Sequence, residues 1–130
     1  MVARRIALFA LVVDDYAAAI AFFVDVLGFD LREDSDRGGG KRWVVVAPPG
    51  AETGIVLARA DGEAQHARIG DQTGGRVGFF LHTDDFTHDR EKMIAAGVRF
   101  LEAPRHEPYG IVAVFQDPWG NKWDLLEPAA

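Results

Sequence analysis

The chain has 130 residues, 48% of them hydrophobic, with a formal net charge of −6 at pH 7 and no cysteine. A chain of that length is expected to form a single domain, spanning residues 1–130, that buries roughly two-thirds of its unfolded surface. The acidic balance argues against nucleic acid, whose phosphates need basic patches, and the lack of cysteine excludes disulfides, thiolate metal sites and cysteine nucleophiles.

Arg4-Arg5 followed by an apolar run superficially resembles a secretory leader, but two aspartates interrupt the pattern and the stretch recurs internally, as leaders do not. No run approaches the roughly 20 apolar residues of a membrane span. A cytoplasmic protein that binds no membrane is therefore expected. Ala7 to Val13 is almost wholly apolar and short, the pattern of a strand covered on both faces. Asp14 or Asp15 then caps a helix, and Tyr16, Ala19, Ile20, Phe23, Val26 and Leu27 form one apolar stripe. Gly28 supplies the left-handed stop. Phe29 to Glu33 reads as a second strand, Asp34 to Gly40 as a glycine-rich surface loop, Lys41 to Ala47 as a third strand and Gly54 to Arg59 as a fourth. The polar stretch Ala60 to Gly75 is a connector with a helical turn near Ala64 to Arg68.

The same order then repeats. Asp84-Asp85-Phe86 echoes Asp14-Asp15-Tyr16, and Gly97 echoes Gly28. The second set of elements is Arg76 to Thr83, a helix from Asp85 to Ala96 with the stripe Phe86, Met93 and Ala96, then strands Val98 to Glu102, Ile111 to Gln116 and Lys122 to Glu127. Asp117-Pro118-Trp119-Gly120-Asn121 is turn chemistry throughout and marks a hairpin. Ala103 to Gly110 reads as a loop suited to ligand contacts. The chain is thus α+β, with two related βαβββ modules, about 6–59 and 76–127, joined by a connector.

In VVDDYAAAIAFFVDVLGF, DDFTHDREKMIAAGV and the closing DPWGNKWDLLEP, the chain resembles the vicinal oxygen chelate superfamily, the glyoxalase, bleomycin-resistance and extradiol dioxygenase group. The resemblance implies a cupped eight-stranded mixed sheet with helices on its convex side, a homodimer, and a small-molecule site on the concave face. It also implies a divalent metal held by one ligand from each of four strands. Carried over by position, those ligands fall on Leu8, on Gly78, on Asp124 and within Ile55, Val56 and Leu57, so only Asp124 has a donor side chain. A single carboxylate holds a hard divalent ion weakly. No metal and no other cofactor is expected.

Alternation along strands places Leu8, Ala10 and Val12 on the cup face with Gly78, Phe80 and His82, and with Lys122, Asp124 and Leu126, while Phe9, Leu11, Val13, Phe79 and Leu81 pack under the helices. His82 is the candidate proton-exchanging residue, with a core histidine bonded to a backbone carbonyl as its plainer reading. Asp124 either anchors a cationic ligand or pairs with Lys122 or a loop arginine. His106 and Tyr109 sit in the loop over the mouth. Trp43 is the aromatic pocket candidate, Trp123 belongs to the core and Trp119 to a subunit contact. His66 and His88 are surface residues, and the aspartate pairs are helix caps. The preferred reading is a metal-free binding protein that sequesters an apolar or cationic ligand. The alternatives are a glyoxalase-like lyase or dioxygenase using His82, His106 and Asp124 as relocated ligands, an acid–base catalyst using His82 alone, or an assembly module with a vestigial pocket.

Overall fold

Helix capping by aspartate and termination by glycine set the chain's rhythm. In the computed structural model, which describes residues 3–130, Asp15 accepts the Ala18 N–H at 2.8 Å and Asp85 accepts the His88 N–H at 3.2 Å. Gly28 and Gly97 lie beyond the two helices with φ of +75° and +93°, a conformation that side-chain-bearing residues resist. The chain forms two compact units that divide between Arg68 and Ile69.

The first unit contains β1 (Leu8–Val13), α1 (Tyr16–Ile20), β2 (Asp30–Gly38), β3 (Lys41–Ala47), β4 (Gly54–Arg59) and α2 (Gly62–His66). Its four-stranded sheet has the order β1-β4-β3-β2, with β1 parallel to β4. Leu11, Val13, Val44, Val46 and Leu57 are fully buried on the face that carries α1, with Ala19 and Phe23 against them. After Ile20 the helix widens into π-helical turns over Ala21–Val26, and Phe22 joins the core with its ring edge-on to Phe23 at 5.2 Å. The expected stripe assumed one uniform period. The wider turn rotates Phe22 inward and leaves Val26 and Leu27 only partly covered.

The expected loop at Asp34 to Gly40 is for the most part strand. β2 runs to Gly38, paired with β3, and bulges between Leu31 and Glu33 and between Asp36 and Gly38. Hydrophobic alternation cannot reveal this strand because almost all its side chains are exposed. Its side-chain bonds are polar, with Arg42 donating to both Asp34 carboxylate oxygens at 3.0 and 2.6 Å.

The second unit contains β5 (Val77–His82), α3 (Phe86–Ala95), β6 (Arg99–Phe100), β7 (Arg105–Glu107), β8 (Gly110–Gln116) and β9 (Lys122–Pro128), in a five-stranded mixed sheet. Phe86 and Met93 are buried from α3, whereas Ala96 is exposed. Trp123 is core, as expected, stacked on Phe79 at 4.7 Å and on Phe115 at 5.7 Å. The β8–β9 turn is built on Asp117, only 4% exposed, whose carboxylate accepts the Trp119, Gly120 and Asn121 N–H groups, the Asn121 amide and the Trp123 indole N–H. The architecture is α+β with two related modules, and the described residues form nine strands, four in one sheet and five in the other, instead of eight because β7 forms inside the expected Ala103 to Gly110 loop.

Candidate functional site

In each unit one sheet face carries the helix; the other, the open face, is partly exposed. Strand register assigns the open-face residues. In the first unit Ala10 pairs with Val56 and Val12 with Ala58, while Val45 pairs with Val56, so Leu8, Val12 and Trp43 share that face. In the second unit Phe80 pairs with Asp124, and Asp124 with Val114. The side chains of Phe80 and Asp124 therefore lie side by side. Phe80 is 63% exposed, a large ring left uncovered.

A register shift between Val77 and Phe79 breaks the expected alternation of Gly78 with Phe80 and His82. Gly78 occupies the irregularity, and Val77, paired with Lys122, takes the open-face place instead. Val77, Leu101 and Val114 line a depression of about 300 Å³ with Glu102 and Lys122, and Val114 is the strand partner of Asp124. His82, paired with Leu126, is exposed rather than a core histidine. His106 pairs with Ile111, whereas Arg105 and Glu107 pair with Val112 and Gly110; His106 thus projects from the face opposite Asp124, and Arg105 takes the place expected of it.

Arg105 organises this rim. Its guanidinium donates to both Glu102 carboxylate oxygens at 3.1 Å and to Glu107 at 3.3 Å, and Glu102 also accepts the Val114 N–H at 2.9 Å. Hydrogen bonds to Glu102 and then Tyr109 hold the Arg105 guanidinium well above the usual arginine range. Tyr109 is 53% exposed, and its carbonyl accepts the Ala129 N–H at 2.9 Å. The sequence reading missed Glu102 and Arg105. Their spacing of three residues before a strand was the available signal.

Asp124 is left out of this network. Its Oδ1 is buried and accepts no hydrogen bond among the described residues, and it pairs with neither Lys122 nor Arg105. Burial raises its pKa above the ordinary carboxylate value, with Arg105 opposing and Glu102 adding to the rise. A buried, unpaired acceptor beside an exposed aromatic ring suits a ligand that brings a donor or a positive charge.

The residues do not suit the family's divalent metal. At Leu8 the side chain packs over Gly54, whose hypothetical Cβ would lie 3.4 Å from Leu8 Cδ2. At Gly78 the space a side chain needs is filled by Thr73, whose Cγ2 would lie 2.4 Å from an added Cβ. Ile55, Val56 and Leu57 carry no donor, and among the described residues no three His, Asp or Glu side chains cluster to hold an ion. Neither His82 nor His106 joins Asp124 in such a group.

The sequence model described as Glyoxalase/Bleomycin resistance protein/Dioxygenase superfamily matches residues 5–125. An uncharacterized protein of Shewanella frigidimarina (strain NCIMB 400) is 52% identical over 120 residues, covering 91% of this chain and 89% of that protein. The crystal structure of TnmS3, an antibiotic binding protein from Streptomyces sp. CB03234, superposes with a TM-score of 0.80 at 34% identity over 99% of both chains. A glyoxalase/bleomycin resistance protein from the same Streptomyces superposes with a TM-score of 0.72 at 35% identity, covering 92% of this chain and 96% of that one. No helix among the described residues is long and apolar enough to cross a membrane.

Proposed function

Because the chain belongs to the glyoxalase/bleomycin resistance protein/dioxygenase superfamily, we propose that it is a small-molecule binding protein that works without a metal, sequestering a ligand with a flat apolar body and a cationic or donor group. The observation that carries this reading is the pairing of Phe80 with Asp124: an exposed ring for stacking next to a buried carboxylate oxygen that lacks a partner. The ring attracts a cation through its negative face as well as an aromatic body. Val77, Leu101 and Val114 supply the apolar floor, and the Glu102–Arg105–Glu107 cluster fixes the rim. That TnmS3 is an antibiotic binding protein supports an antibiotic-like small molecule as the ligand.

The protein is proposed to act as a cytoplasmic homodimer. The exposed apolar side chains of Leu8 and Phe9, 37% and 54% accessible along the edge strand β1, support self-association.

The reading is tested by thermal denaturation with a panel of cationic aromatic antibiotics, each compared with a neutral analogue. A ligand at 100 times its dissociation constant adds about 2.7 kcal/mol of stability. Stabilisation by the cationic member that is lost in Phe80→Ala and Asp124→Asn is the expected result. Metal analysis of protein purified without chelator is expected to show substoichiometric zinc, nickel, iron and manganese. A full equivalent of any of these, or stabilisation indifferent to both substitutions, overturns the proposal.

A further inference from the structure

The first unit carries a cavity of different chemistry. β4 stays paired with β1 along its whole length, but its ladder with β3 covers only Val45 with Val56 and Val46 with Ile55. Beyond those pairs the β2–β3 hairpin parts from the β1–β4 ribbon, and the gap holds about 490 Å³. That is within the range of pockets for small organic molecules. Because the gap opens through the sheet, its walls draw on both faces: Trp43 from the open face, Tyr16 and Arg59 from the side carrying α1.

The walls are cationic in an acidic protein. Arg37, Lys41, Arg42 and Arg59 line the gap against one carboxylate, Asp61. Two of the four cations are already matched, Arg42 by Asp34 at 2.6 Å and Arg37 by Glu33 at 3.4 Å. Arg59 and Lys41 make no ion pair among the described residues. Arg42 and Arg59 both lie over the Tyr16 ring, at 5.1 and 5.2 Å from its centroid, so two like charges are held close together by one aromatic group. The end of Arg59 rests against the hairpin turn, where a Cβ at Gly40 would stand 3.2 Å from its Nη2. It thereby spans the mouth between the two ribbons. Two neighbouring guanidiniums, of which only Arg42 is ion-paired among the described residues, leave an unmet demand for negative charge.

We infer that this gap is a binding site for a planar aromatic anion, a ring carboxylate or its equivalent, with the ring against Trp43 and the negative group at Arg59. It belongs to a different unit from the Phe80–Asp124 site and has the opposite charge preference, so either reading can fail without the other.

The test uses 2-naphthoate as the probe and the uncharged 2-naphthamide as its isostere, followed by amide chemical shifts and calorimetry on the full chain. Naphthoate is expected to shift the Gly40, Trp43 and Arg59 amides and to bind at least about tenfold tighter than naphthamide. Arg59→Gln is expected to remove that tenfold preference and Arg59→Lys to restore part of it. Equal affinity for acid and amide, an unaltered preference in Arg59→Gln, or shifts confined to Phe80, Asp124 and their neighbours would each overturn the inference. The comparison of acid with amide on the unmodified protein needs no variant to fold.

Discussion

Replacing Asp124 with Asn is expected to stabilise the protein and to weaken its hold on a cationic ligand. The carboxylate Oδ1 is buried without a donor, and the charge is disfavoured first by burial and then by Glu102, with Arg105 compensating in part. An unsatisfied buried acceptor costs about 1–3 kcal/mol. Asn keeps an acceptor oxygen and removes only the charge, and water reaches part of this side chain, so the gain sits at the low end, about 1 kcal/mol at pH 7. For a chain of this size that is a rise of about 3–4 °C in Tm. The pH dependence fixes the cause. A carboxyl whose folded pKa lies above its unfolded value of 3.8 binds more protons in the native state, so its penalty is absent below 3.8 and complete above the raised folded value. The Tm advantage of Asp124→Asn is therefore largest at neutral pH, shrinks as pH falls through that window and vanishes beneath it. Thermal melts of both proteins at pH 7, 5 and 3.5, with Asp124→Leu as a second variant that also removes the acceptor, measure this. A variant less stable than the parent at pH 7, or a difference constant across the three pH values, would refute the reasoning.

Two further predictions concern the frame around the site. Asp117→Ala strips five hydrogen bonds from a buried carboxylate at the β8–β9 turn and is expected to cost about 3–5 kcal/mol in urea melts, with Asp117→Asn intermediate; a loss below about 1 kcal/mol would show that the turn stands without it. Gly70→Ala places a Cβ 1.8 Å from the Trp119 carbonyl oxygen at a φ of +76°, so it is expected to lower Tm far more than Gly74→Ala, whose Cβ meets nothing within 4 Å at a φ of +70°.

Much of the fold was legible because it is local. The aspartate caps, the glycine stops, the bounds of β3 and β4 and the Asp117 turn all follow from a few neighbouring residues. What escaped depends on partners far along the chain. β2 continues through polar residues because β3 is there to pair with it, and β7 forms because β8 offers an edge. The site was legible in part for the same reason: alternation put Phe80 and Asp124 on one face, and the register makes them neighbours, whereas one irregularity at Gly78 exchanged Val77 into the face and the β7 register exchanged Arg105 for His106. The cavity at Tyr16 was invisible, since its walls come from four separate segments and from the place where a ladder stops.

The two modules show how a repeated backbone comes to hold unlike chemistry. The register that pairs Phe80 with Asp124 in the second unit pairs Ala10 with Val56 in the first, between equivalent parallel strands. One position thus carries a ring and an acid, and its counterpart two small apolar groups. In the first unit the polar groups lie instead where the β3–β4 ladder ends, with Arg59 one strand position beyond Ala58. Strand pairing is satisfied by backbone groups and constrains side chains only to a face. Each copy was free to change side chains without disturbing its ladder, and the orphaned acid in one and the surplus guanidinium in the other are uncompensated charges of opposite sign that folding alone does not require.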